Sequence, residues 1–133
     1  MFGKKADSRP QSRIDSLIGA GTVVEGSIRF SGGLRIDGEV KGNVEAAEGA
    51  SSSTLVLSEK ARIEGAVDVA HFVINGTVVG PVAVSESLEM QPKARIVGDV
   101  AYSLIEMHQG AVIEGRLMHA ASKSVELKLA ASN

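Results

Sequence analysis

The sequence contains no cysteine, so thiolate metal sites, disulfides and thiol nucleophiles are excluded. The histidines are His71, His108 and His119, separated by 37 and 11 residues. Metal-binding histidines usually come at short spacings such as i, i+4. These three therefore read as surface or corner residues, and no metal is expected. Asp37, Asp68, Asp99 and Glu114 recur at comparable places in the chain, as the clustered carboxylates of a polysaccharide lyase or hydrolase would. Arg35, Lys41, Arg62, Arg95 and Arg116 are interleaved with them. Opposite charges stacked above and below one another describe a solvated face. No long loop is available to wall a pocket, so neither catalysis nor a cofactor is expected. The alternative of a discrete β-helix enzyme or carbohydrate-binding carrier that does not polymerise stays open. A hexapeptide acyltransferase is excluded, because period six is absent. Ice binding needs ranks of threonine, and there are only Thr22, Thr54 and Thr77.

The elements that must carry these residues repeat. LVLSEKARIEGAV at 55–67, LEMQPKARIVGDV at 88–100 and IEMHQGAVIEGRL at 105–117 align without gaps, and SLIGAGTVVEGSI at 16–28 is a fainter copy. A second kind of unit is LRIDGEVKGNV at 34–44, matched by FVINGTVVGPV at 72–82. The units start at 16, 34, 55, 72, 88 and 105, a period near 17. The long step holds EAAEGASSST at 45–54, which has the composition of a solvated loop and reads as an insertion of about four residues. Within a unit the alternation is strict: Leu34, Ile36, Val40 and Val44 share one parity, and Arg35, Asp37, Glu39, Lys41 and Asn43 the other. Period two predicts strands with one buried face. Gly38, Gly42, Gly65, Gly76, Gly80, Gly98 and Gly115 fall on the buried parity, where a recurring glycine marks a corner. Short strands, regular corners and a fixed period predict a coil of β-structure, each turn stacked on the last through parallel strands.

Composition agrees. Aromatics are 3% of the chain, limited to Phe2, Phe30, Phe72 and Tyr102, so a narrow interior of Val, Ile, Leu and Ala is expected. A helical fold is excluded, because glycines interrupt every window that would carry an apolar stripe. The net charge of −2 is unevenly spread: residues 1–13 carry +3, 14–120 carry −6 and 121–133 carry +1. An acidic body excludes a nucleic-acid partner, which requires a basic face. The apolar stretch LIGAGTVV at 17–24 is assigned to the folded body, because no cleavage signature follows it. No apolar run reaches the roughly 18 residues of a membrane span.

The opening MFGKK, a short polar tail, and units of the form IDGEVKGNV at 36–44 and INGTVVGPV at 74–82 resemble the bactofilin family along essentially the whole chain. The resemblance implies an all-β, single-domain right-handed parallel β-helix of about six turns. It also implies a bacterial cytoskeletal scaffold of non-polar filaments that form without nucleotide. Such a scaffold lies in the cytoplasm, peripheral on the cytoplasmic face of the inner membrane. There it contacts anionic lipids and organises cell-wall enzymes or their membrane regulators, and with them cell shape. The short tail and the lack of an aromatic in the last unit depart from some members.

Three regions are expected: a flexible membrane-targeting tail at 1–15, a β-helix polymerisation domain at 16–120 and a C-terminal tail at 121–133. In that tail, VELKL at 125–129 alternates like a seventh strand, which either caps the last turn or stays loose. Stacked turns expose unpaired backbone and core side chains at both ends unless capped, and no cap is legible. The expected polymerisation contacts are Ile18, Val24 and Ile28 in the first turn and Ile105, Met107, Ile113 and Leu117 in the last. The expected structural corner glycines are Gly38, Gly65, Gly76, Gly98 and Gly115. Met1 and Phe2, with Lys4 and Lys5 behind them, have the order of an apolar tip and basic collar suited to an anionic bilayer.

Overall fold

The structure, a computed structural model, describes residues 14–47 and 52–119. Met1, Phe2, Lys4, Lys5, Gly49 and the VELKL segment lie outside the described residues. The alternation of Val, Ile and Leu with charged residues produces strands of mostly three or four residues, stacked as a β-solenoid of about six turns. The first turn is β1 (Ser16–Ile18), β2 (Val23–Glu25) and β3 (Ile28–Phe30); the second is β4 (Gly33–Ile36), β5 (Glu39–Lys41) and β6 (Val44–Ala46). The third opens with β7 (Thr54–Leu57) and β8 (Arg62–Glu64), and β9 (Val67–Ile74) carries it into the fourth. Then β10 (Thr77–Val79) and β11 (Val82–Met90) complete the fourth and begin the fifth. The fifth continues through β12 (Arg95–Val97) and β13 (Val100–Tyr102); the last is β14 (Leu104–Met107), β15 (Val112–Glu114) and β16 (Leu117–His119).

All strand pairs are parallel and in register from turn to turn. Three faces result. On the second face Val24, Val40, Ile63, Val78, Ile96 and Ile113 form one inward column. On the first, Ile18, Ile36, Leu57, Ile74, Met90 and Met107 form another. In the middle turns these side chains are fully buried, each contributing roughly 1.5–3 kcal/mol.

Each corner has its own solution. At the first, four turns use a four-residue loop closed by a backbone hydrogen bond, such as Ala61 N to Ser58 O (3.0 Å) and Ala94 N to Gln91 O (2.9 Å). The second and fourth turns use the short pairs Asp37–Gly38 and Asn75–Gly76 instead. This difference is what separates the two kinds of sequence unit. The second corner is a column of glycine: Gly26, Gly42, Gly65, Gly80, Gly98 and Gly115 lie one above the other. A Cβ on any of the last five would overlap the carbonyl of the glycine in the turn before. The glycines of the sequence thus form two series, with Gly38 and Gly76 at the first corner and Gly65, Gly98 and Gly115 at the second.

Three expectations are corrected. The interior does admit a ring: Phe72 is fully buried in mid-core, stacked between Leu55 and Leu88 of the neighbouring turns. Strands are not all short, because β9 and β11 run without a break through the third corner, β11 with a bulge between Val84 and Ser87. The 45–54 stretch is also not all solvated loop. Glu45 and Ala46 close β6, and Ser53 and Thr54 are buried. There the Ser53 hydroxyl accepts from Ala70 N at 3.2 Å and its carbonyl accepts from His71 N at 3.0 Å.

Candidate self-association surfaces

The titratable side chains occupy the outside of the solenoid and mostly satisfy one another. Arg29 pairs with Glu45 (2.9 Å), Arg62 with Glu64 (2.8 Å), Lys93 with Glu59 (3.2 Å) and Arg95 with Glu114. Asp37 accepts hydrogen bonds from the Ser58 hydroxyl and from Arg35 Nε (2.9 Å). The Ser58 bond, then the Arg35 bond, hold its carboxyl below the usual carboxylate range. Arg62 does the same for Glu64. Asp99 accepts from Arg116 N at 3.0 Å, while Asp68 lies on the third face beside Ala83. The four carboxylates singled out in the sequence are therefore spread over two corners and two faces. Among the described residues no group of His, Asp and Glu is arranged to hold a metal.

The histidines are also apart. His108 opens the last first-corner loop, its Nε2 3.3 Å from both Glu89 and Glu106. The His119 ring lies 5.5 Å from that of Tyr102, tilted by 58°. His71 sits where β9 bends, its Nδ1 2.8 Å from the Ser87 hydroxyl. Burial lowers its pKa below the ordinary 6.5, only partly offset by the charge of Glu86. As pH falls through 6.5 the unfolded chain takes up the proton before the folded one. Stability is full above that value and declines toward the lowered folded pKa. His71→Gln is therefore expected to flatten the pH dependence of Tm between about pH 8 and about pH 5. Melting curves at both pH values check it, and an unchanged slope would refute it.

The ends differ from the middle. In the first turn Ile18, Val24 and Ile28 are half-buried, whereas their counterparts Ile36, Val40 and Val44 are closed over completely. In the last turn Ile105 and Ile113 are half-buried, and Met107 and Leu117, though inward, are 44% and 49% exposed. The sequence reading missed a second group. Ile14, Leu17, Val23, Leu104, Val112 and Met118 are all exposed, Leu104 by 69%. Every exposed large hydrophobic side chain among the described residues lies on the first or last turn, apart from Ile14 just before β1. Five of the missed six stand at outward stations where the neighbouring turn is polar or small. Leu17 is in register with Arg35, Val23 with Glu39, Leu104 with Ser87, Val112 with Arg95 and Met118 with Ala101. Two of these columns, Val23–Glu39–Arg62–Thr77–Arg95–Val112 and Thr54–His71–Ser87–Leu104, turn apolar only at an end, and that was the available signal.

The chain matches, over residues 16–118, the family model described as "Bactofilin: Polymer-forming cytoskeletal". It belongs to the bactofilin family. The matched range runs from the start of β1 into β16, so it coincides with the six-turn bactofilin solenoid. Among curated relatives, bactofilin BacP of Myxococcus xanthus (strain DK1622) is 35% identical over 98 residues, 72% of this chain and 40% of BacP. Bactofilin BacO of the same organism is 27% identical over 103 residues, 77% of this chain and 78% of BacO. The chain thus spans well under half the length of BacP. No solved structure matches it. Among the described residues, the exposed large hydrophobic side chains thus gather at the two ends of this solenoid.

Proposed function

We propose that the solenoid assembles end to end into nucleotide-independent, non-polar filaments on the cytoplasmic face of the inner membrane. In this reading the filament organises cell-wall enzymes or their membrane regulators, and with them cell shape. The confinement of exposed large hydrophobics to the two terminal turns carries the reading. A second copy stacked on each end would bury the half-open inward columns, each side chain regaining part of the roughly 1.5–3 kcal/mol of full burial. When like ends meet, each contact is two-fold, and two such contacts alternating along the rod make an unending filament without polarity. Negative-stain microscopy of the purified protein without nucleotide tests this. Filaments support it, and discrete particles at every concentration would favour a non-polymerising carrier or enzyme.

Membrane attachment in this reading belongs to Met1, Phe2, Lys4 and Lys5. Inserting Phe2 contributes roughly 1.5–3 kcal/mol and each lysine near an anionic surface about 1 kcal/mol. One tail is then a marginal, reversible anchor. A filament presents many tails from one rod, so each later insertion is effectively intramolecular. Phe2→Ser and the Lys4→Ser/Lys5→Ser pair are expected to release protein from anionic liposomes while still forming filaments. A filament-deficient end variant should be released too. Flotation decides it: a monomeric variant that floats as well as the parent would show that the tail suffices alone.

A further inference from the structure

On one side β14 pairs with β11; on the other no described strand pairs with it. Its inward residues, Ile105 and Met107, are only partly covered. An open parallel edge beside uncovered core residues is a template for one more strand. The sequence that follows has a matching pattern: Val125, Leu127 and Leu129 alternate with Glu126 and Lys128.

The connection has the right length. From the third face to the first, the solenoid uses anything from a continuous strand, in β9, to the seven residues 47–53 between β6 and β7. Five residues, 120–124, separate β16 from residue 125, which lies within that range. Charge then selects the register. With Leu127 over Ile105 and Leu129 over Met107, Lys128 falls directly over the outward Glu106, as opposite charges on adjacent strands prefer. Shifted by two residues, Val125 covers Ile105, Leu127 covers Met107 and Glu126 stands over Glu106, placing like charges together.

We propose that residues 125–129 dock as a parallel strand on the free edge of β14, covering Ile105 and Met107, and so compete with a second copy for the C-terminal end. The competition rests on the end-to-end reading above; the docking does not. Only the first face is covered, since Ile113 and Leu117 belong to the other two, so assembly is held back rather than abolished. The segment lowers the fraction of chains whose end is free, and the apparent affinity of the end contact falls by that fraction.

Two measurements on the full chain test the proposal. The protein has no cysteine, so an engineered pair reports one contact. Residues in register on neighbouring parallel strands lie about 4.8 Å apart, within the roughly 4.4–6.8 Å that a disulfide spans. Glu106→Cys/Lys128→Cys is expected to form an intramolecular disulfide in dilute monomer under mild oxidation. The diagonal control Leu104→Cys/Lys128→Cys, at about 8 Å, should not. Equal cross-linking of both pairs, no cross-link, or a disulfide-linked dimer in place of the intramolecular bond would overturn the docking; the dimer would assign the edge to a second copy. Separately, Leu127→Asp/Leu129→Asp should start to sediment at a concentration on the order of tenfold below the parent. An unchanged onset would overturn the competition. If neither parent nor variant sediments at any concentration, the end-to-end reading falls, and the monomer cross-link still decides the docking.

Discussion

Leu117→Arg is expected to give a folded protein that no longer sediments as a polymer. Leu117 points inward on β16 and is in register with the fully buried Val100, yet it is 49% exposed because no described turn follows. In the monomer the arginine head can reach water past this open end, so the fold should lose little. Stacked against a second copy, the same guanidinium would be enclosed with no carboxylate in its column. An unpaired charge buried that way costs several kcal/mol, and each 1.4 kcal/mol weakens the contact about tenfold. A loss of at least about 100-fold in end-contact affinity follows. Leu104→Arg, at an outward station on the same turn, should weaken the contact less, because its side chain can turn to solvent. Sedimentation across a concentration series, with melting curves to confirm folding, checks both. Filaments from Leu117→Arg at the parent's threshold would remove the C-terminal end from the contact.

Gly98→Val is expected to destabilise the solenoid by at least about 2–3 kcal/mol, the upper range for overpacking a site that cannot relax. Gly98 has φ of +149°, and a Cβ there would overlap the carbonyl of Gly80 and press against Pro81 N at 3.2 Å. Both obstacles are backbone, held by Gly80 N to Val97 O (2.9 Å) and Gly98 N to Glu114 O (3.0 Å), so no side chain can swing aside. Because the glycines form one column, relief at one level moves the next. Gly76→Val meets the carbonyls of Ser58 and Ala61 at the first corner in the same way, as Gly38→Val meets those of Gly19 and Thr22. Gly19→Ala is the contrast: nothing lies within 4 Å of a Cβ there and its backbone is not left-handed. It should change stability by under about 1 kcal/mol, and in the stabilising direction if the loop accepts it. Chemical denaturation of the four variants tests this. Equal midpoints for Gly98→Val and Gly19→Ala would overturn the view that the corners pack backbone on backbone.

The period of the solenoid, its inward columns and its parallel stacking were legible in the chain because each is a local, repeated rule. Leu34, Ile36, Val40 and Val44 alternate in sequence, and burial follows alternation wherever strands stack in register. The family was legible for the same reason, in IDGEVKGNV and INGTVVGPV. Tertiary structure alone decided the rest. Glycines that look alike in sequence separate into two corners, because only the stacking shows which carbonyl lies under each one. Ser53, polar and at the end of a small-residue run, is buried because its hydroxyl and carbonyl meet the amides of Ala70 and His71 one turn away. Phe72 fits the middle of a core built mostly of aliphatic chains because Leu55 and Leu88 flank it in the column. Leu17, Val23, Leu104, Val112 and Met118 acquire meaning only by position. An apolar side chain at an outward station is unremarked within one repeat; it becomes a candidate contact when the register places it on a terminal turn, beside core residues that no further described turn covers.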